Sequence, residues 1–196
     1  MRILEGKYII PSAAAAVVAA VDVADGAQTL VTSELDFSRN LIMAVVDENA
    51  SISAGIATVI GKDDKGAVVT EVFTIPTTGS ASVTGTTMFK SITSITVSAI
   101  AGEAAGDTIA FGTGLTVQVF EQVGYFGAII VGETAAGAIT ITDQDSNGTR
   151  HTLGILKSSI VEGEYRFNCS VSKGLRIVFA AASKVSVTYA RASFNG

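Results

Sequence analysis

Residues Leu41–Ile75 read "LIMAVVDENASISAGIATVIGKDDKGAVVTEVFTI". The stretch breaks into short runs of Val, Ile, Ala and Thr. The β-branched members are stiff about χ1 and suit a pleated strand better than a helix. Asp, Asn, Gly and Ser cluster between the runs, at Asp47–Ser51 and Gly61–Gly66, and these residue types favour turns. A strand roughly every 8–12 residues is the mark of an antiparallel sandwich or barrel.

The same pattern continues on the C-terminal side. "SITSITVSAI", residues Ser91–Ile100, places Ile92 and Ile95 three apart, which suits a helix or a bulged strand. Its Thr and Ser content and the alternation Ile95, Val97, Ala99 favour the strand. Asp107–Phe120 alternates across a Gly-rich bend. Near Glu121-Gln122-Val123-Gly124 the pattern restarts. The runs Tyr125–Val131, Ala138–Thr142, Thr149–Leu156, Glu164–Val171, Leu175–Ala180 and Val185–Arg191 then supply about six more strands, enough for a small antiparallel sandwich. No period marks a repeat, and no segment reads as a convincing helix. The expected architecture is all-β, with two small antiparallel β-sandwich or barrel-like domains at residues 37–120 and 121–196. An extended N-terminal arm and lead-in, residues 1–36, precedes them.

Composition narrows the function classes. Hydrophobic residues make up 48% of the 196, yet charged residues are only 16% and tryptophan is absent. A surface so poor in charge and rich in Ser, Thr, Ala and Gly suits a chain covered by other subunits, so a homo-oligomer is expected. The net charge of −5 and the lack of any basic run argue against nucleic acid as a partner. "SAAAAVVAAV", Ser12–Val21, is shorter than the about 20 apolar residues that a membrane span needs. It has no basic cluster before it and is bracketed by Pro11 and Asp22, so no membrane is expected. The arm, extended or briefly helical, offers Ile3, Leu4, Tyr8 and Ile9 as apolar anchors for a partner.

Two acidic clusters raise the question of metal. Asp143, Asp145, Asn147 and Gly148 match positions one, three, five and six of an EF-hand calcium loop. The twelfth position, which should be a bidentate Glu, is Gly154, and the flanks are β-like instead of helical. Asn147-Gly148 reads instead as the central pair of a type I′ hairpin turn. Asp63 and Asp64, flanked by Lys62 and Lys65, form a similar solvated tip with Gly66 in the left-handed position. Asp143, Asp145 and Asn147, with Asp63 and Asp64, remain weak metal candidates. No metal or other cofactor is expected.

Catalytic signatures are missing from the sequence. His151 is the only histidine, and no G-x-S-x-G elbow accompanies it. A triad is recognised by geometry, and an exposed strand histidine near Asp143 and Asp145 accounts for this one. No C-x-x-C, H-E-x-x-H, P-loop or dinucleotide fingerprint occurs. Glu71, Glu103, Glu121, Glu133, Glu162 and Glu164 are scattered, without the tryptophan platforms usual in sugar clefts. Cys169, the single cysteine, alternates with Phe167 and Val171 and reads as a buried strand thiol. The chain is expected not to be an enzyme.

One pattern carries a resemblance. Gly61, Asp63 and Gly66 form a Gly-x-Asp-x-x-Gly hairpin leading to a Thr70-Glu71 strand. Phe89, Lys90, Ile92, Ile95 and Thr96 follow as a Phe-Lys-x-Ile-x-x-Ile-Thr segment, and a later strand closes on Phe111-Gly112. "FSRNLIM", Phe37–Met43, leads in, and "KGLRIVFAAASKVSVTYA", Lys173–Ala190, closes the chain. This resembles virion structural proteins of tailed bacteriophages. The resemblance covers about half of the chain firmly and the C-terminal part loosely. It implies a capsid decoration (cement) protein, with a homotrimer favoured, bound to the major capsid protein or other virion proteins. Such a chain would be made in the bacterial host cytoplasm and located in the virion. A tail or neck component (tube, adaptor or fibre base) is the first alternative. A glycan-binding adhesive β-module is the second, with Tyr8, Tyr125, Tyr165 and Tyr189 as its available aromatics. No catalytic residue comes with the resemblance.

Overall fold

The computed structural model describes residues 4–145 and 147–192. It is all-β, with no helix among the described residues, and its sheets are antiparallel and open, as in a β-sandwich; none closes into the barrel that the sequence left open. The strands are β1 (Glu5–Ile9), β2 (Val18–Asp22), β3 (Gly26–Ala27), β4 (Glu34–Val46), β5 (Ala54–Lys62), β6 (Val68–Thr74), β7 (Ala81–Thr84) and β8 (Phe89–Ala101). They continue with β9 (Thr108–Phe120), β10 (Gly124–Val131), β11 (Ile139–Gln144), β12 (Arg150–Leu156), β13 (Gly163–Val171), β14 (Leu175–Phe179) and β15 (Val185–Arg191). All six runs expected after residue 121 appear as strands. So does Ser91–Ile100, inside β8.

The chain divides into two compact units. One is contiguous, residues 12–114. The other joins the described residues up to Pro11 to those from Leu115 onward. The sequence placed a division after residue 120, whereas along the chain it falls within β9, between Gly114 and Leu115. The stretch assigned to an arm is shared out: β1 belongs with the C-terminal unit and β2 with the central one.

In the unit 12–114, β5 lies between β6 and β8, β4 takes β7 on one side and is followed by β9 in the sheet order, and β2 pairs with β9. Its core gathers Leu41, Met43, Val59, Phe73, Phe89, Ile95 and Phe111, with Val17 and Val18 from the Ala-rich stretch. Phe73 and Phe111 meet edge to face, 5.6 Å between ring centroids. The three-residue spacing of Ile92 and Ile95 is resolved by a bulge. Ile60 pairs with Ser94 and Gly61 with Ile92, so Thr93 is the extra residue and both isoleucines face inward. Ala99 does not follow the expected alternation. It sits at φ 54° and is exposed, where β8 shifts register against β5.

In the second unit, β11 lies between β12 and β14, β10 lies between β13 and β15, and β1 pairs with β15. Its core includes Ile9, Phe120, Phe126, Ile139, Ile141, Ile177 and Val187. Phe126 stacks on Phe167 at 4.7 Å, and Gly154 makes room for that ring, since a Cβ there would lie 2.5 Å from Phe167 Cε1.

The two units share part of a neighbour scheme. β2, β9, β4 and β7 of the first follow one another as β1, β15, β10 and β13 do in the second, and β8, β5 and β6 as β14, β11 and β12 do, but β4 pairs with β8 whereas β14 pairs with β9. This partial duplication of topology has no counterpart in a visible sequence period. A sandwich constrains which positions are apolar and leaves residue identity free, so the pattern can recur while the letters drift.

Candidate functional site

The acidic residues singled out for metal are turn and loop fasteners. Asp63 N–H donates to Ala67 O, Gly66 N–H donates to Asp63 O, and Asp63 Oδ1 accepts the N–H groups of Lys65 and Ala67, both at 2.9 Å. Gly66 takes φ +81°. The second tip repeats this set of bonds. Asp145 N–H donates to Thr149 O, Gly148 N–H donates to Asp145 O, and Asp145 Oδ1 accepts from Asn147 and Thr149, again at 2.9 Å. The turn thus closes between Asp145 and Gly148. This corrects the expected type I′ turn centred on Asn147-Gly148: both tips are three-residue hairpins with Gly in the left-handed bulge position, where the Asp side chain can bridge the turn's N–H groups.

Asp143 points away from that tip. Its carboxylate is buried and accepts N–H bonds from Ser172, Lys173 and Gln144. Burial by itself pushes its pKa up, but the hydrogen bonds from Ser172, Gln144 and Lys173 outweigh it and hold the group below the usual carboxylate range. The Asp143 and Asp145 carboxylates thus accept from separate sets of N–H groups. Among the described residues no group of three or more His, Cys, Asp or Glu could hold a metal. His151 is exposed on β12, its Nε2 3.0 Å from Asp145 Oδ2. That contact, helped by the N–H bonds of Thr149 and Asn147, lowers the Asp145 pKa. Among the described residues no nucleophile is bonded to the pair.

The same device recurs in the unit 12–114. Buried Asp47 accepts from the N–H groups of Ser51 and Ile52, and buried Asp107 from those of Glu48 and Ala104. Glu71 accepts from Thr86 and Thr87. The Phe37–Met43 segment is also structural. Arg39, buried, forks onto Asp36 at 2.9 and 3.0 Å, and Asn40 donates to Gly85 O. Desolvation lowers the Arg39 pKa against the opposing pull of Asp36. Lys90 Nζ donates to Leu35 O.

Of the four apolar anchors, Ile3 lies outside the described residues. Ile9 is a core residue, 1% exposed, while Leu4 and Tyr8 are 42% and 45% exposed. β1 is paired along its whole length with β15, from Glu5↔Tyr189 to Ile9↔Val185. The first part of the expected arm is thus an edge strand of its own unit. Cys169 is half-buried on β13, and burial, with the Asp143 charge, raises its thiol pKa, which disfavours the reactive thiolate.

One cluster was invisible in the sequence. Gln118 is fully buried. Its Oε1 accepts from Arg150 Nη2 and Arg176 Nε, both at 3.0 Å, while its Nε2 donates to Phe120 O and Leu175 O. Desolvation and the nearby Arg176 charge lower the Arg150 pKa to about 10. Positions 118, 150 and 176 share no motif. The sheet order alone brings them together.

Comparison with known proteins adds no family. No protein-family model matches the chain, and no curated protein matches it. Among solved structures, a "putative secreted protein" from Parabacteroides distasonis aligns over 97% of this chain and 89% of its own at 8% identity, with a TM-score of 0.24.

Proposed function

We propose that the chain is a non-enzymatic structural protein of a tailed-bacteriophage particle, a decoration protein that stabilises the head through contacts among its copies and with the capsid. The observation that carries this reading is where the phage-like pattern falls. Gly61, Asp63, Gly66, Thr70, Glu71, Phe89, Lys90, Ile92, Ile95 and Phe111 all belong to the unit 12–114. There they act as scaffold. Asp63 and Glu71 fasten turns, Gly61 lets β5 approach Ser91, and the aromatics and isoleucines fill the core. Polar groups spent on holding loops support a part in assembly over one in chemistry.

The test is recovery from particles. Phage produced by a host that makes this chain are purified, and its peptides are quantified in intact particles, isolated heads and isolated tails. Many copies with the heads are expected. Recovery with tails alone would move the protein to the tail or neck, and absence from particles would overturn the reading.

A further inference from the structure

We propose that β6 is a homotypic docking edge, on which two copies of the chain pair their Val68–Thr74 strands antiparallel about a two-fold axis at Thr70. The inference stands on the unit 12–114 alone and does not depend on the phage reading.

β6 is hydrogen-bonded to β5 and ends its sheet. Which of its backbone groups are open follows from the ladder. Asp63 N–H donates to Ala67 O at one end, and Ile75 N–H to Gly55 O at the other. Antiparallel pairs alternate between bonded and non-bonded, so Val69, Glu71 and Phe73, opposite Gly61, Val59 and Ala57, bond to β5. Val68, Thr70, Val72 and Thr74 then direct their N–H and C=O groups to the free edge. A row of such groups is a template for another strand.

The side chains of those residues make the edge adhesive. Val68 is 69% exposed and Val72 56%. Directly opposed residues share a face, so Ile56 and Ile60, each partly exposed, extend the same apolar surface with Thr58 between them, and the exposed Lys62, opposite Val68, borders it at the hairpin end. The strand Val68–Thr74 carries no Lys, Arg or Pro. The topologically equivalent edge, β12, begins Arg150-His151 and is bulged against β11, two of the usual guards against pairing.

The occupant is indicated by the strand's own symmetry. The outer-face series Val68, Thr70, Val72 reads the same in both directions. Centring the axis on Thr70 opposes Thr70 to its copy and Val68 to the partner's Val72, all at edge-facing bonded positions. Thr–Thr and β-branched pairs are favourable cross-strand neighbours. An axis one residue on would set Glu71 opposite its copy, two like charges in direct opposition. With the axis at Thr70, Glu71 faces the partner's Val69.

The experiment is the solution mass of the full chain by light scattering across a dilution series, with three variants. The intact chain is expected at twice its 20.0 kDa mass. Thr70→Pro removes only an edge-facing N–H and so spares the internal ladder. Val68→Lys/Val72→Lys places charges at exposed positions. Each is expected to give a monomer with an unchanged far-UV circular dichroism spectrum. In a Cys169→Ser background, Thr70→Cys is expected to oxidise to a dimer, because opposed bonded Cα atoms lie about 5.5 Å apart, within disulfide reach. A monomeric intact chain would overturn the proposal. So would an oligomer unaffected by Thr70→Pro and Val68→Lys/Val72→Lys, or a Thr70→Cys chain that forms no crosslink. Particle recovery reads the proposed function separately.

Discussion

The Asp143 carboxylate holds the backbone N–H of Ser172 between its two oxygens, 3.1 Å from Oδ1 and 2.9 Å from Oδ2. It therefore fastens the segment after β13 to β11. Asp143→Ala would strand the N–H groups of Ser172, Lys173 and Gln144 and is expected to cost about 1–3 kcal/mol in denaturant unfolding. Because the folded pKa lies below the unfolded one, this contribution is complete above the ordinary carboxylate range and fades as pH falls through the folded value. Asp143→Ala should accordingly flatten the acid limb of the stability profile. A calcium titration of the intact chain by calorimetry is expected to be flat, and heat saturating at one site would contradict the assignment.

His151 and Asp145 form an exposed pair, and its consequence is electrostatic. His151→Ala should raise the Asp145 pKa toward its ordinary value in a carboxyl NMR titration. The N–H groups of Asn147 and Thr149 keep part of the depression. No change in Asp145 would mean that the turn alone sets its titration.

Gly61 is a close-approach position. A Cβ there would lie 2.2 Å from Ser91 O and 2.8 Å from Phe89 Cδ1. Gly61→Ala is expected to destabilise the unit by about 1–3 kcal/mol, as overpacking does. Gly66→Ala meets no neighbour but occupies φ +81°, so its cost should come from backbone strain alone. Unfolding midpoints of the two variants separate the mechanisms.

β1 tests the role of the N-terminus. Ile9→Ala, at a buried position, should cost about 2–5 kcal/mol, and Tyr8→Ala, at an exposed one, less than about 1 kcal/mol. Removing residues up to Pro11 should expose the β15 edge and destabilise the unit of which β1 is part, measured by hydrogen exchange along Val185–Tyr189. Unchanged protection there would argue against the pairing Glu5↔Tyr189 to Ile9↔Val185.

The strands were legible because their signal is local. Val, Ile and Thr alternating between turn residues marked β5, β6 and the six strands after residue 121. The bulge in β8 could be read from Ile92 and Ile95. Less legible were features set by partners. The Asn147-Gly148 pair looked like a turn centre, but the side chain of Asp145 and its bond to Gly148 set the turn one residue earlier. Asp143 looked like a free ligand, and its lone pairs are taken by a segment some thirty residues away in sequence. Gln118, Arg150 and Arg176 carried no signal, since only the register of β9, β14, β11 and β12 makes them neighbours.

By itself the sequence determined an all-β chain, tight Asp-Gly hairpins and an apolar N-terminal segment, because backbone preference and side-chain alternation act over a few residues. The tertiary structure decided which strands pair. It sent β1 to β15 and left β6 open at its edge. Those outcomes depend on which distant backbone and side-chain groups satisfy one another, and hydrophobic alternation is the same for every pairing that buries the same face.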